Sequence, residues 1–219
     1  MIALLQPDGI AKKFISESLN KSQILKFLSK INYRFIIIKI IFMIISMKNS
    51  LIIYSSTDGH TKKICKYILS IIEQKYNTKL ISINSVHFEK LEEYDLIIIG
   101  ASIRYGKHKP EIYHFIEQNK LLLNSKITAF FSVNAVARKS DKNKIYNNPY
   151  IQKFISLTSW KPNHLEVFAG QIIYSKYKFI DKIMILLIMW LTNGPTDTSV
   201  VHEFTDWSKV KNFSNILIK

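Results

Sequence analysis

The chain reads as an α/β protein, a doubly wound, five-stranded parallel sheet with helices on both faces and a basic insertion after the fourth strand. Three observations predict it. Short apolar runs of strand length alternate with segments whose apolar residues recur every three or four positions, the pattern of βα units. The runs end in glycine, hydroxyl or amide residues, so turn-forming loops gather at the carboxyl ends of the strands. The first of these loops stops an apolar run in Ser55-Ser56-Thr57-Asp58-Gly59-His60-Thr61 and opens an amphipathic segment.

Residues 51–54 give the first strand, immediately after Met47 and its short polar lead. The helix after Thr61 carries Ile64, Ile68, Ile71 and Ile72 on one face. Residues 79–83 give a short second strand. Residues 95–101, Asp-Leu-Ile-Ile-Ile-Gly-Ala, read as a strand buried on both faces, and Pro110 suits the first turn of the helix that holds Ile112, Phe115 and Ile116. Residues 127–133 form the fourth strand, followed by the polar, basic insertion over 138–148 and a helix-like segment over 150–159. Residues 167–173 are expected as the fifth strand. Thr205 or Asp206 caps a last helix bearing Val210, Phe213, Ile216 and Leu217.

Residues 1–46 fall outside this alternation. Their apolar run over 35–45 contains Lys39, is shorter than the roughly 20 residues of a spanning helix, and lacks the form of a secretory signal. The expectation is either a membrane-contacting extension or sequence upstream of a true start at Met47, with the sheet domain occupying 47–219. A formal charge of +15 points toward acidic partners: anionic lipid, nucleic acid or a carboxylate-bearing substrate. A chain so rich in Ile, Lys and Asn also gathers charge through composition. The single cysteine, Cys65, excludes an intramolecular disulfide and a multi-cysteine metal site, and no metal is expected.

The loop over 55–61 combines hydroxyls, a glycine that lets backbone N–H groups converge, and a helix N-terminus behind them, the makings of a phosphate cradle. No lysine is spaced for a P-loop and there is no GxGxxG. The phosphate expected is therefore the monoester of flavin mononucleotide rather than a triphosphate or dinucleotide. The competing reading is an ordinary strand-to-helix turn capped by Asp58 or Ser56. The loop after the third strand, Gly100-Ala101-Ser102-Ile103-Arg104-Tyr105-Gly106, offers Tyr105 for stacking on a flavin ring and Ser102 or backbone amides for its edge. After the fourth strand, Ser132-Val133-Asn134 would serve its pyrimidine side. A half-buried aromatic and an ordinary turn former are the bland readings of Tyr105 and Asn134.

These segments, with residues 131–139 (Phe-Ser-Val-Asn-Ala-Val-Ala-Arg-Lys), Ala169-Gly170, residues 193–198 (Asn-Gly-Pro-Thr-Asp-Thr) and 204–207 (Phe-Thr-Asp-Trp), resemble the bacterial quinone-dependent, including menaquinone-dependent, protoporphyrinogen IX dehydrogenases of haem biosynthesis, a flavodoxin-like family. The resemblance runs from about Met47 to the C-terminus. Thr57 departs from an expected basic residue, His60 from an amide and Pro195 from an acid. The resemblance implies FMN held by Ser55, Ser56, Thr57, Asp58, Gly59, His60, Thr61, Ser102, Tyr105, Gly106, Phe130, Ser132, Val133, Asn134 and Thr198. It also implies oxidation of protoporphyrinogen IX, electrons passed to menaquinone or ubiquinone, and a peripheral position on the cytoplasmic face of a bacterial inner membrane, with no role for nucleic acid.

Tyr105, Asp197 and His108 are the candidate proton-transfer groups. Between Arg138 and Lys182 nine basic residues face three acidic ones. Arg138, with Arg104 and Lys139, is the candidate for binding the substrate's propionates, because a guanidinium offers a planar two-donor fork. The apolar run over 183–191, led in by Tyr174, Lys176, Tyr177, Lys178 and Phe179, suits either an interfacial membrane element or a helix buried against the sheet. Two other functions compete: a flavodoxin-type electron carrier, disfavoured because such carriers are acidic, and an FMN-dependent quinone reductase, for which no second nucleotide site is visible.

Overall fold

The computed structural model describes residues 47–219, so the expectation placed on 1–46 lies outside the described residues. In chain order the elements are β1 (Lys48–Ser55), α1 (His60–Ile72), β2 (Tyr76–Ser82), β3 (Leu96–Ser102), α2 (Pro110–Gln118), α3 (Lys120–Ser125) and β4 (Ile127–Asn134). There follow α4 (Pro149–Leu157), β5 (His164–Ala169), β6 (Gln171–Ile173), α5 (Phe179–Leu191), β7 (Val201–Glu203) and α6 (Trp207–Leu217). Five parallel strands form one sheet in the order β2-β1-β3-β4-β5.

Side-chain alternation along each strand divides the core in two. Leu51, Ile53, Ile97, Ile99 and Phe130 meet Ile112, Phe115, Leu123, Ile151 and Phe154 from α2, α3 and α4. Ile52, Ile98, Phe131 and Phe168 meet Ile64, Ile68 and Ile72 of α1 and Val210, Phe213 and Leu217 of α6. Complete burial of side chains of this size contributes roughly 1.5–3 kcal/mol each before conformational entropy is subtracted. At Gly100 a Cβ would fall into the Phe131 ring, so only glycine lets β3 and β4 pack there.

One expectation and two competing readings need correction. The fifth strand does not run to residue 173. It ends at Ala169, which pairs with Asn134, the last residue of β4, and a final Gly170 N–H bond to Asn134 O at 3.2 Å closes the ladder. The chain then leaves the sheet, and β6 pairs with β7 in a separate antiparallel ribbon. The apolar run over 183–191 is not a helix buried against the sheet: only Met189 of α5 is buried, in a small cluster with Ile172 and Tyr174. Finally, neither Asp58 nor Ser56 caps α1. Its N-cap is Gly59, left-handed at φ 87° with no side-chain cap, and Ser56 Oγ instead accepts from the Gly59 N–H at 3.1 Å.

Candidate functional site

In an open parallel sheet, ligands gather beyond the strand carboxyl ends where the connections diverge, here between β1 and β3. Register pairs Ser55 with Ala101 and Ser102 with Val133, bringing the three following loops level. A cavity of about 730 Å³ opens there, a size that suits a small-molecule cofactor with room beside it. Its walls are the loops after β1, β3 and β4 and the inner side of α5. A second cavity of about 800 Å³, beside α2 and residues 83–92, shares no lining residue with the first.

The loop after β1 leaves donors unspent. With no side-chain cap on α1, its first-turn amides and dipole are open to an anion. Two buried polar atoms beside them, Ser55 Oγ and His60 Nδ1, have no partner among the described residues. His60 Nε2 lies 2.6 Å from Thr205 Oγ1, which itself donates to Ala169 O at 2.9 Å. The hydroxyl proton is thus committed, so Nε2 carries the imidazole proton and Nδ1 holds a bare lone pair. Burial lowers the His60 pKa, with Lys63 reinforcing this and Glu203 and the nearby Gln171 side chain opposing it. Ser56, Asp58, His60 and Thr61 line the cavity; Thr57 and Gly59 sit exposed at the loop tip.

The loop after β3 is a two-residue turn. Arg104 and Lys107 exchange backbone hydrogen bonds of 2.9 and 3.2 Å, and Tyr105 (φ 49°) and Gly106 (φ 73°) between them are both left-handed. This is the primed hairpin geometry, which suits glycine and costs a tyrosine about 1–2 kcal/mol. An offset comes from the Tyr105 hydroxyl, which donates to Asp181 Oδ1 at 2.7 Å. Arg104 donates to Asp181 Oδ2 at 2.7 Å and to Asp58 Oδ2 at 3.3 Å, with its guanidinium 5.2 Å from the Tyr105 ring and 5.0 Å from the Tyr177 ring. Burial works against the Arg104 charge, yet Asp58 and Asp181 raise its pKa above the ordinary value. Desolvation pushes the Asp58 carboxyl up despite Arg104, whereas the Tyr105 hydrogen bond holds Asp181 down. Ser102 donates to Ser55 O at 3.2 Å and ties this loop to the first.

After β4, Asn134 is occupied internally. Its Oδ1 accepts from the Ala137 N–H at 2.9 Å, and its amide exchanges longer contacts of 3.3 and 3.5 Å with Asn148, whose own Oδ1 caps α4. Arg138 differs from Arg104 in its partners. It donates to Ala135 O at 2.9 Å and to Thr192 Oγ1 at 2.6 Å, and it pairs with no carboxylate among the described residues. Burial lowers its pKa. Lys139 and Lys142 line the same wall.

Of the residues expected here, Ser56, Asp58, His60, Thr61, Ser102, Arg104, Tyr105, Gly106, Val133, Asn134, Arg138 and Lys139 line the cavity. Others do not. Phe130 stacks on Phe154 at a centroid separation of 3.9 Å inside the core, because β4 alternation turns it to the α4 face. Ser132 is buried against His108, its Oγ 2.9 Å from His108 Nε2. His108 packs among Phe130, Phe154 and Tyr113, and burial drops its pKa to about 4. Burial thus favours the neutral form of this ring, which does not line the cavity. Asp197 is exposed and accepts from Ser199 N and Oγ at 2.8 and 2.6 Å, forming a turn; neither it nor Thr198 reaches the cavity. Sequence reasoning missed Asp181 and Thr192. Asp181 carried one signal, as the single acid between Glu166 and Asp197 in a basic stretch.

A family model described as a flavodoxin domain matches residues 51–199. The chain is 37% identical over 166 residues to the protoporphyrinogen IX dehydrogenase (quinone) of Escherichia coli strain K12, covering 75% of this chain and 92% of that one. It is 38% identical over 167 residues to the protein of the same name from Leishmania major, covering 75% and 72% respectively. The solution structure of the two-electron reduced flavodoxin of Megasphaera elsdenii is similar over 54% of this chain and 84% of its own, at 12% identity and a TM-score of 0.44.

Proposed function

This chain belongs to the flavodoxin-domain family, among the quinone-dependent protoporphyrinogen IX dehydrogenases, and on that premise we propose that it oxidises protoporphyrinogen IX to protoporphyrin IX with FMN as cofactor and a quinone as electron acceptor. The observation that carries the reading is a single cavity whose walls hold both an uncapped helix N-terminus and an arginine unpaired with any carboxylate among the described residues.

The first of these fits FMN. The phosphate monoester would sit on the first-turn amides of α1 and the hydroxyls of Ser56 and Thr61, with His60 Nδ1 available to a hydroxyl of the same group. The Tyr105 turn and the backbone after Val133 would flank its ring. When bound, FMN supplies reversible two-electron chemistry. The chain's own contributions are position, exclusion of water and charge. Arg138, with Lys139 and Lys142, offers a cationic wall to the substrate's carboxylates, and Met184, Ile185 and Ile188 of α5 supply an apolar wall for its flat macrocycle.

A peripheral membrane contact follows from the chemistry of the acceptor. Quinones are lipid-soluble, and α5 turns Phe179, Ile180, Ile183, Leu187, Trp190 and Leu191 to solvent beside Lys176 and Lys178. That is the composition of an interfacial helix on an anionic surface. No helix among the described residues is long and apolar enough to cross a membrane.

The test is anaerobic: FMN-loaded protein receives protoporphyrinogen IX with menaquinone or ubiquinone, and porphyrin fluorescence is followed. Quinone-dependent porphyrin formation is expected. Formation no faster than in buffer would overturn the reading.

A further inference from the structure

Helix α5 forms one wall of the cavity and carries a polar fastening to the site at each end. At its first turn Asp181 takes Arg104 at 2.7 Å and the Tyr105 hydroxyl at 2.7 Å. At its last turn the Thr192 hydroxyl takes Arg138 at 2.6 Å. Between these ends Met189 is buried with Ile172 and Tyr174, Ile185 and Leu186 pack partly against the same cluster, and the residues around Asp181 at the N-terminal end stay outside it. The two arginines that line the cavity are thus the two polar fasteners of this wall.

The fasteners are chemically unequal. Arg138 is held by a neutral hydroxyl, which a carboxylate can replace with a gain in charge complementarity. Arg104 already faces two carboxylates, Asp58 and Asp181, so a third anion there meets their repulsion unless it displaces one. Asp58 belongs to the loop after β1 and is the longer contact, at 3.3 Å; Asp181 is the shorter and sits at the N-terminal end of α5, outside the buried cluster.

We propose that Asp181 is a specificity-determining residue that occupies the Arg104 subsite in place of a substrate carboxylate, and that an entering dicarboxylate exchanges with it there and frees the N-terminal end of α5. The proposal rests on the porphyrin reading above. The exchange is carboxylate for carboxylate, so the charge around Arg104 is unchanged by binding, whereas an esterified ligand leaves Asp181 in place. Arg138 would take one carboxylate without displacement, and Arg104 the other after it.

The experiment uses the full chain loaded with FMN and compares wild type, Asp181→Asn and Tyr105→Phe. Each is titrated with protoporphyrin IX, a stable dicarboxylate, and with its dimethyl ester, following porphyrin fluorescence anisotropy. In parallel, trypsin cleavage at the exposed Lys176 and Lys178 reports release of the helix end. Removing the competing charge is expected to tighten binding of the diacid about tenfold, the scale of one charge-assisted hydrogen bond, and to leave the ester unaffected. Tyr105→Phe, which removes only one donor to Asp181, is expected to move affinity the same way by about threefold, less than half of that free energy. The diacid should speed cleavage in wild type, and Asp181→Asn should be cleaved fast without ligand. Equal tightening for acid and ester, or unchanged diacid affinity in both variants, would overturn the exchange while leaving the porphyrin reading standing. Failure of every form to bind the diacid would overturn both.

Discussion

His108 offers a stability test whose sign and size follow from its surroundings. The ring is 2% exposed, touches Ser132 Oγ at 2.9 Å and Tyr113 OH at 3.3 Å, and is otherwise enclosed by Phe130 and Phe154. No carboxylate among the described residues compensates a positive charge there, and desolvation lowers its pKa from 6.5 to about 4. Above pH 6.5 the ring is neutral both folded and unfolded, and the full contribution is present. Between pH 6.5 and about 4 the unfolded chain takes up the proton first, and stability falls by about 1.4 kcal/mol per pH unit, for about 3 kcal/mol in all. His108→Gln, neutral at every pH, removes this slope. Urea unfolding followed by tryptophan fluorescence at pH 7 and pH 5 should show the difference between wild type and variant narrowing by about 2 kcal/mol at the lower pH. Equal losses of stability in the two proteins would refute the assignment of a buried neutral imidazole. If quinone-dependent turnover persists in the variant, His108 is also excluded as the proton carrier that its position near the crevice suggested.

Other perturbations separate backbone, core and charge. Gly59→Ala meets no neighbouring atom but forces alanine to φ 87°, so it should cost about 1–2 kcal/mol and weaken FMN binding in fluorescence-quenching titrations, with the sheet intact by circular dichroism. Gly100→Ala should be worse for the fold, because the Phe131 ring it strikes is itself fixed by Phe168 and Phe213; about 1–3 kcal/mol of overpacking should lower the melting temperature by roughly 5 °C. Arg138→Lys keeps the charge and loses the planar fork, and should weaken protoporphyrin IX binding about tenfold while FMN affinity is unchanged.

The contrast between what was legible and what was not follows from the range of each interaction. β3 was readable because a strand covered on both faces must be apolar throughout, and α2 because Pro110 is tolerated only in a first turn. The choice between Thr205 and Asp206 as cap of α6 was not readable. It is settled by Asp206 accepting from the Lys209 N–H at 3.0 Å, while Thr205 is drawn away to Ala169 O and His60. Phe130 was misplaced for a related reason: it stands mid-strand in β4, four residues short of the carboxyl end, and the parity of the strand sends it into the core against Phe154. The two arginines show the limit most sharply. Both stand in loops that any reading of strand ends would assign to the site, and in sequence they look equivalent. What separates them is Asp181, 77 residues beyond Arg104, on a helix whose apolar pattern suggested a sheet face or a membrane and concealed a cavity wall. Local pattern therefore locates the carboxylate-binding groups, but only the tertiary pairing decides which is open to a ligand and which must first be released.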